Sequence, residues 1–153
     1  MVTIRDGDLL ASNCEVICHQ TNCMGTMGGG IARAIRDTYP EAYYALKMRF
    51  GRGAATLGEV DFVPTIRKGF LRCIVNCYGE YDCLPIGAVH TDYEALKVCF
   101  KKIKAEFAGR NYTIGFPYKF GCGLAGGDWN IVYKLIEDAF AGDEWRVELW
   151  RLN

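Results

Sequence analysis

Short β-branched segments alternate along this chain with longer segments of helical periodicity. The short ones are bounded by Gly, Asp, Ser or Asn, which is typical of buried strands. In the long ones, apolar residues recur every three to four positions, as on the inner face of a helix. This alternation predicts an α/β layered fold around a largely parallel sheet. We predict strands at 2–4, 15–19, 59–63, 70–77, 113–116 and 146–152, and helices at 31–39, 40–48, 92–107 and 128–140.

The length and composition predict one folded domain over residues 1–153. Half of the residues are hydrophobic and 24% are charged, which excludes an intrinsically disordered chain. A chain of this size buries roughly 68–70% of its unfolded surface, so it folds without a disulfide or metal. No repeat, low-complexity stretch or linker divides it.

The charge and hydropathy patterns exclude several partners. The 18 Lys and Arg balance the 18 Asp and Glu, so no basic field is available for non-specific nucleic-acid binding. No apolar run approaches the ~20 residues of a membrane span, and the N-terminus lacks the apolar core of a signal peptide. We therefore expect a cytoplasmic or nucleocytoplasmic monomer with no membrane partner.

Eight cysteines stand mostly among apolar neighbours, as in the segments around Cys18, Cys73 and Cys99. No pair has the Cys-x-x-Cys spacing, and the two histidines, His19 and His90, complete no ligand pattern. We interpret the cysteines as small buried side chains in a reducing compartment. We expect no metal and no cofactor.

Two glycine-rich loops, residues 22–30 and 119–127, each connect a predicted strand to a predicted helix. Ligands of open α/β sheets bind beyond the carboxyl ends of strands, and free N–H groups at a helix N-terminus bind anions. Neither loop matches a nucleotide-binding fingerprint. Tight turns that let a helix pack on the sheet would explain one such loop. Two at equivalent positions favour a diphosphate or phosphate-sugar ligand between two half-sites.

Three motifs, in order along nearly the whole chain, carry a resemblance to a known family. They are Gly7-Asp8-Leu9 after the first strand, Asn22 before 28–32 (Gly-Gly-Gly-Ile-Ala), and 121–124 (Gly-Cys-Gly-Leu) before a helix. In these motifs the chain resembles the macrodomains. The resemblance implies a three-layer α/β/α sandwich with a mixed, largely parallel central sheet, which binds ADP-ribose.

The resemblance also implies ligand contacts. Asp8 matches an acid that binds the adenine amino group, Leu9 an adjacent backbone contact, and Asn22 an asparagine that reaches the distal ribose. Trp150 and Leu152 match adenine-packing positions, although Trp150 also fits a buried aromatic of an edge strand. The two implied phosphate loops consist of Gly28, Gly29, Gly30 and Ile31 and of Gly121, Cys122, Gly123 and Leu124.

Residues 19–25 and 116–121 resemble the branch of the family that processes ADP-ribose-1''-phosphate. His19 stands three residues before Asn22, where that branch has a functional histidine. A histidine with a near-neutral pKa can orient or deprotonate water. The alternative is a strand-end histidine satisfied by backbone hydrogen bonds.

The same branch uses an aspartate near the start of the helix that follows 78–79, and Asp92 is the nearest match, with Thr91 one residue away. Asp92 also fits a helix N-terminus, where a carboxylate is favourable. The deglycosylating macrodomains use a lysine where Glu80 stands, and one has an aspartate where Ala125 stands. We therefore expect no lysyl-adduct mechanism.

The favoured hypothesis is hydrolysis of an ADP-ribose derivative by a positioned water. The loop N–H groups would hold the diphosphate and stabilise developing charge, while Asn22 and His19 orient the distal ribose and its 1'' substituent. The implied partner is ADP-ribose or an ADP-ribosylated substrate. Two other hypotheses remain: a non-catalytic ADP-ribose reader, and a structural domain without a ligand.

Overall fold

The computed structural model describes residues 1–152. The strands are β1 (Val2–Asp6), β2 (Val16–Thr21), β3 (Val60–Arg67), β4 (Phe70–Tyr78), β5 (Thr113–Pro117) and β6 (Arg146–Arg151). The helices are α1 (Gly30–Thr38), α2 (Pro40–Gly51), α3 (Tyr93–Phe107) and α4 (Trp129–Ala139). A short 3₁₀ helix spans Leu9–Ala11. The predicted elements are therefore confirmed in type and order, with shifted ends.

All six strands form one sheet in the order β1-β6-β5-β2-β4-β3. Every neighbouring pair is parallel except β3 and β4, which are antiparallel. These two strands are joined by Lys68 and Gly69, both with positive φ (51° and 78°), as expected for a tight two-residue hairpin. The predicted mixed, largely parallel sheet is confirmed.

Successive side chains of each strand point to opposite faces of the sheet, so buried strands present apolar side chains on both faces. Helices cover both of these faces. One hydrophobic cluster joins the sheet to α3 and α4, and the other joins it to α1 and α2. On β2, Cys18 belongs to the first cluster and its neighbour Ile17 to the second. The result is the three-layer α/β/α sandwich that the resemblance implied.

Cysteines fill part of these two clusters. Cys14, Cys18, Cys23, Cys77 and Cys99 are buried free thiols, which confirms the interpretation of most cysteines as small core side chains. Within residues 1–152 no helix is long and apolar enough to cross a membrane. The same part of the chain has no group of three or more His, Cys, Asp or Glu side chains arranged to hold a metal.

The buried guanidinium of Arg72 fixes the connection between the 3₁₀ helix and β2. It donates hydrogen bonds to the carbonyl oxygens of Leu10, Ser12 and Cys14 at 2.5 to 3.1 Å, and to the hydroxyl of Tyr39 at 2.9 Å. Buried polar groups need such partners, and Arg72 satisfies three carbonyls that would otherwise lack donors. It thereby holds the segment that carries Asp8 and Leu9 against the sheet.

Candidate functional site

The two glycine-rich loops meet at one edge of the sheet. β2 and β5 are neighbouring parallel strands, so the loops that follow them leave from the same, carboxyl edge. A cavity of about 550 Å³ opens between them. Its walls come from residues 20–32, 80–86 and 117–125, which include both predicted phosphate loops. Both loops thus line one cavity, as expected of two half-sites, and the ligand between them stays a prediction.

The two loops come close together at Gly29 and Leu124. A side-chain carbon on Gly29 would lie 3.3 Å from Cδ1 of Leu124. The φ angle of Gly29 is −142°, an extended conformation open to any residue, so only the contact with Leu124 restricts the side chain here. Any larger residue would narrow the cleft between the loops.

Asn22 lines the cavity and also shapes the first loop. Its Oδ1 accepts hydrogen bonds from the backbone N–H groups of Met24 and Thr26, at 3.0 and 3.3 Å. Its Nδ2 donates to Oγ1 of Thr26 at 2.6 Å. The Asn22 side chain therefore stabilises the conformation of the first loop as well as lining the cavity.

The second loop is held by the segment before α3. Oγ1 of Thr91 donates to the carbonyl of Gly121 at 2.6 Å and accepts from Nε2 of Gln20 at 3.0 Å. The N–H of His90 donates to the carbonyl of Ala125 at 2.7 Å. Within the loop, the N–H of Gly127 reaches the carbonyl of Gly121 at 3.0 Å. The loop is thus tied to β2 and to the start of α3.

His19 lies outside this cavity, fully buried in the sheet. Its Nε2 is 2.6 Å from Oδ1 of Asn76 on β4. Burial lowers the pKa of the imidazole to about 4, so the ring is neutral at pH 7. The structure does not support the catalytic role that the resemblance implied. The alternative, a buried strand residue, fits better, with a side-chain amide as its partner instead of the backbone.

Asp92 is the N-cap of α3, and its Oδ1 accepts from the N–H of Ala95 at 2.9 Å. It is not among the cavity-lining residues, so the N-cap interpretation is confirmed and a catalytic role is unsupported. Asp128 caps α4 in the same way, through the N–H of Asn130 at 2.9 Å.

The residues predicted to bind adenine lie on and around β1 and β6, and none of them lines the cavity. Asp8 caps the 3₁₀ helix, with Oδ1 accepting from the N–H of Leu10 at 2.9 Å. Leu9 is buried and Leu152 is exposed. Trp150 is half-buried, and its Nε1 donates to Glu148 at 3.1 Å. Their adenine contacts remain predictions.

Several cavity residues were not predicted as site residues, and Glu80 and Gln20 stand out among them. Oε2 of Glu80 and Oε1 of Gln20 are buried, and no group within residues 1–152 forms a hydrogen bond with either atom. Burial raises the pKa of Glu80 to about 7. The signal available in the sequence was position, because Glu80 stands three residues after a strand predicted to end at residue 77, at the ligand-binding edge.

Together, fold and site define a three-layer α/β/α domain with a glycine-lined cleft at the carboxyl edge of its sheet. The family model of the Macro domain matches residues 18–136. The chain belongs to this family.

Relatives with described activities match in sequence. A DNA ADP-ribosyl glycohydrolase of Mycobacterium tuberculosis is 38% identical over 76 residues, which are 50% of this chain and 22% of the relative. The match thus spans under a quarter of the length of that protein. An ADP-ribose 1''-phosphate phosphatase of Aspergillus clavatus is 25% identical over 178 aligned positions, covering 90% of this chain and 89% of the relative.

A solved structure shows the same fold. The macrodomain of Mycobacterium tuberculosis DarG superposes with a TM-score of 0.84 at 24% identity, covering 99% of this chain and 97% of that one.

Proposed function

We propose that this chain binds ADP-ribose and hydrolyses an ADP-ribose derivative, either ADP-ribose-1''-phosphate or an ADP-ribosyl adduct, with a positioned water. The observation that carries the proposal is the convergence of two glycine-rich loops, from neighbouring parallel strands, on one cavity. The volume of about 550 Å³ is in the usual range for small-molecule sites. Two half-sites suit the two phosphates of a diphosphate.

Binding would be driven by backbone groups. Among the described residues that line the cavity, Glu80 and Lys119 are the charged ones. The chain has no net charge, so a general positive field does not attract the ligand. N–H groups of the loops and of the first turn of α1 can instead bind the diphosphate directly. Such preorganised donors also stabilise negative charge that develops during hydrolysis.

The strand order suggests how the ligand lies. Asp8 and Trp150 belong to the β1–β6 edge, the loops follow β5 and β2, and Asn22 stands at the end of β2. Adenine at the β1–β6 edge and diphosphate between the loops would direct the distal ribose past Asn22 toward β4. The named activities of the two relatives, a glycohydrolase and a phosphatase, both act at that end of ADP-ribose.

A non-catalytic reader of ADP-ribose is the second candidate. The observation in its favour is that His19 and Asp92, two of the three residues proposed for catalysis, do not line the cavity. Neither side chain could then act on a water beside the ligand.

Calorimetry with ADP-ribose tests the binding proposal, and saturable heat is expected. No heat at millimolar ADP-ribose would overturn both candidates. Turnover assays then use ADP-ribose-1''-phosphate, ADP-ribosylated DNA and ADP-ribosylated protein. Release of phosphate or ADP-ribose supports the hydrolase, and background rates on all three with intact binding would establish the reader.

A further inference from the structure

We propose that Glu80 is the general acid of this cavity, and that the site acts on ADP-ribosyl adducts joined through a glycosidic nitrogen or oxygen in preference to the phosphate monoester. This inference rests on the proposed function and names its substrate class. It is carried by the position of Glu80, by the burial of one of its oxygens and by the charges around it.

The backbone at Glu80 is fixed against the second loop. Glu80 stands two residues after the end of β4 and pairs with Thr91 in an isolated antiparallel bridge. Oγ1 of Thr91 is in turn bonded to the carbonyl of Gly121 at 2.6 Å. These contacts hold Glu80 in the cavity wall. A carboxyl group held there can meet a ligand without a loop movement.

One carboxyl oxygen of Glu80 lacks a hydrogen-bond partner in the described part of the chain, residues 1–152, although it is buried. Such an atom destabilises a fold because it loses water without gaining a donor. Its presence therefore points to a function in binding or catalysis. Since the residue lines the cavity, rotation of its carboxyl group would turn this oxygen toward a ligand, which can then supply the missing partner.

The strand order puts Glu80 at the distal-ribose end of the proposed ligand. In the sheet, β5 and β2, whose loops bind the diphosphate, lie between β6 and β4. The predicted adenine contacts are with β6 and β1, and Glu80 follows β4. Adenine and Glu80 therefore lie on opposite sides of the diphosphate, which brings Glu80 toward C1''.

The surroundings of Glu80 favour its protonated form. Burial raises its pKa to about 7, the charge of His90 opposes this rise, and Asp82 adds to it. Burial also raises the pKa of the nearby Cys23 thiol to about 11, so that thiol stays neutral. A bound diphosphate brings further negative charge and so favours the proton on Glu80.

Glu80 gives up one proton and regains one in each reaction cycle. As the bond between C1'' and the leaving nitrogen or oxygen breaks, its electron pair goes to the leaving atom, which takes the proton of Glu80. Water then forms a bond to C1'', and its proton passes to the carboxylate. The products are ADP-ribose and the protonated leaving group, and Glu80 is restored.

The same carboxyl group gives the phosphate monoester no comparable advantage. A phosphate on C1'' is already an anion that can leave without a proton, so protonated Glu80 does little for its departure, and the fraction of Glu80 that is ionised above about pH 7 repels it. A glycosidic leaving group is uncharged, and it needs a proton because a nitrogen or alkoxide anion leaves poorly. Glu80 therefore suits glycosidic adducts.

Two synthetic substrates test the proposal: phenyl and 4-nitrophenyl ADP-ribosides linked through C1''. The phenolate leaves poorly without a proton, whereas 4-nitrophenolate needs little help. Glu80→Gln is expected to lower turnover of the phenyl substrate by roughly 10²- to 10⁴-fold, with a much smaller loss on the nitrophenyl substrate. The matched control is Glu94→Gln, on α3, whose side chain is 82% exposed.

The pH profile is a second readout. Wild-type turnover of the phenyl substrate should fall as pH rises through about 7, because Glu80 must carry its proton. The Gln variant should lack this fall. If the variant does not fold, the pH profile of the wild type and the ratio of its turnover rates on the phenyl and nitrophenyl substrates still test the proposal.

The outcomes separate the two proposals. If wild type and Glu80→Gln bind ADP-ribose equally by calorimetry but hydrolyse both ribosides equally, the role of Glu80 is wrong and the binding proposal stands. Faster wild-type hydrolysis of ADP-ribose-1''-phosphate than of the ribosides would overturn the substrate class. Absence of ADP-ribose binding by wild type would overturn both.

Discussion

The Nε2 atom of His19 lies 2.6 Å from Oδ1 of Asn76, between two parallel strands and away from the cavity. Nδ2 of Asn76 donates to the carbonyl of Ala42 and to Asp61, at 3.0 and 3.1 Å. Oδ1 of Asn76 is therefore left to accept, and His19 carries its hydrogen on Nε2. The ring is the end of a buried hydrogen-bond network that reaches α2 and β3.

His19 should make the stability of the fold dependent on pH. The unfolded ring binds a proton near pH 6.5, whereas burial lowers the folded pKa to about 4. The stabilisation is therefore complete above about pH 6.5 and is lost as pH falls toward 4. His19→Gln, which keeps a donor but does not titrate, should reduce the loss in unfolding free energy between about pH 7 and about pH 5 by about 2 kcal/mol. Urea denaturation of both proteins measures this, and equal losses in the two would contradict it.

Glu80→Gln should stabilise the protein above neutral pH. Folded Glu80 keeps its proton up to about pH 7, while the unfolded carboxyl loses it near 4.5. Wild-type stability therefore falls as pH rises across this interval. After a discount for partial solvent exposure, we expect a gain of about 1–2 kcal/mol above pH 7 and little change near pH 4. Thermal or urea unfolding with Glu94→Gln as the control checks this; a variant less stable than wild type at pH 8 would refute it.

Gly29→Glu should block ADP-ribose binding. The new side chain would extend from a position 3.3 Å from Cδ1 of Leu124 and add a negative charge beside the phosphates. We expect affinity to drop about tenfold or more, which corresponds to about 1.4 kcal/mol. The control is Gly51→Glu at the end of α2, where a side-chain carbon meets nothing within 4 Å. Calorimetry on both variants decides, and unchanged affinity in the first would remove Gly29 from the site.

Asp8→Asn should isolate the predicted adenine contact from the cap of the 3₁₀ helix. An asparagine oxygen still accepts from the N–H of Leu10, but its NH₂ group cannot accept from the adenine amino group. We expect affinity for ADP-ribose to fall about five- to tenfold, with the turnover number of bound substrate unchanged. Asp138→Asn, an exposed change on α4, controls for the lost charge. A decrease confined to the turnover number would contradict the assignment.

Much of the fold follows from local sequence patterns. Alternation of strands and helices predicted the parallel sheet, and Pro40, a residue tolerated in the first turn of a helix, begins α2. Asp92 and Asp128 act as N-caps through N–H groups three and two residues away, respectively. The convergence of the loops was also predictable, because parallel strands deliver their carboxyl ends to one edge of the sheet.

The tertiary structure decided the chemistry of individual side chains. His19 has the right spacing from Asn22 for a catalytic residue, yet it is fully buried in the sheet and its partner Asn76 is 57 residues away. Glu80 differs from a surface glutamate because the surrounding residues bury it, and this burial raises its pKa to about 7. Caps and periodicity depend on residues a few positions apart, which sequence reveals directly. Burial and pKa depend on groups that only the folded chain brings together, and these separate a structural histidine from a candidate acid.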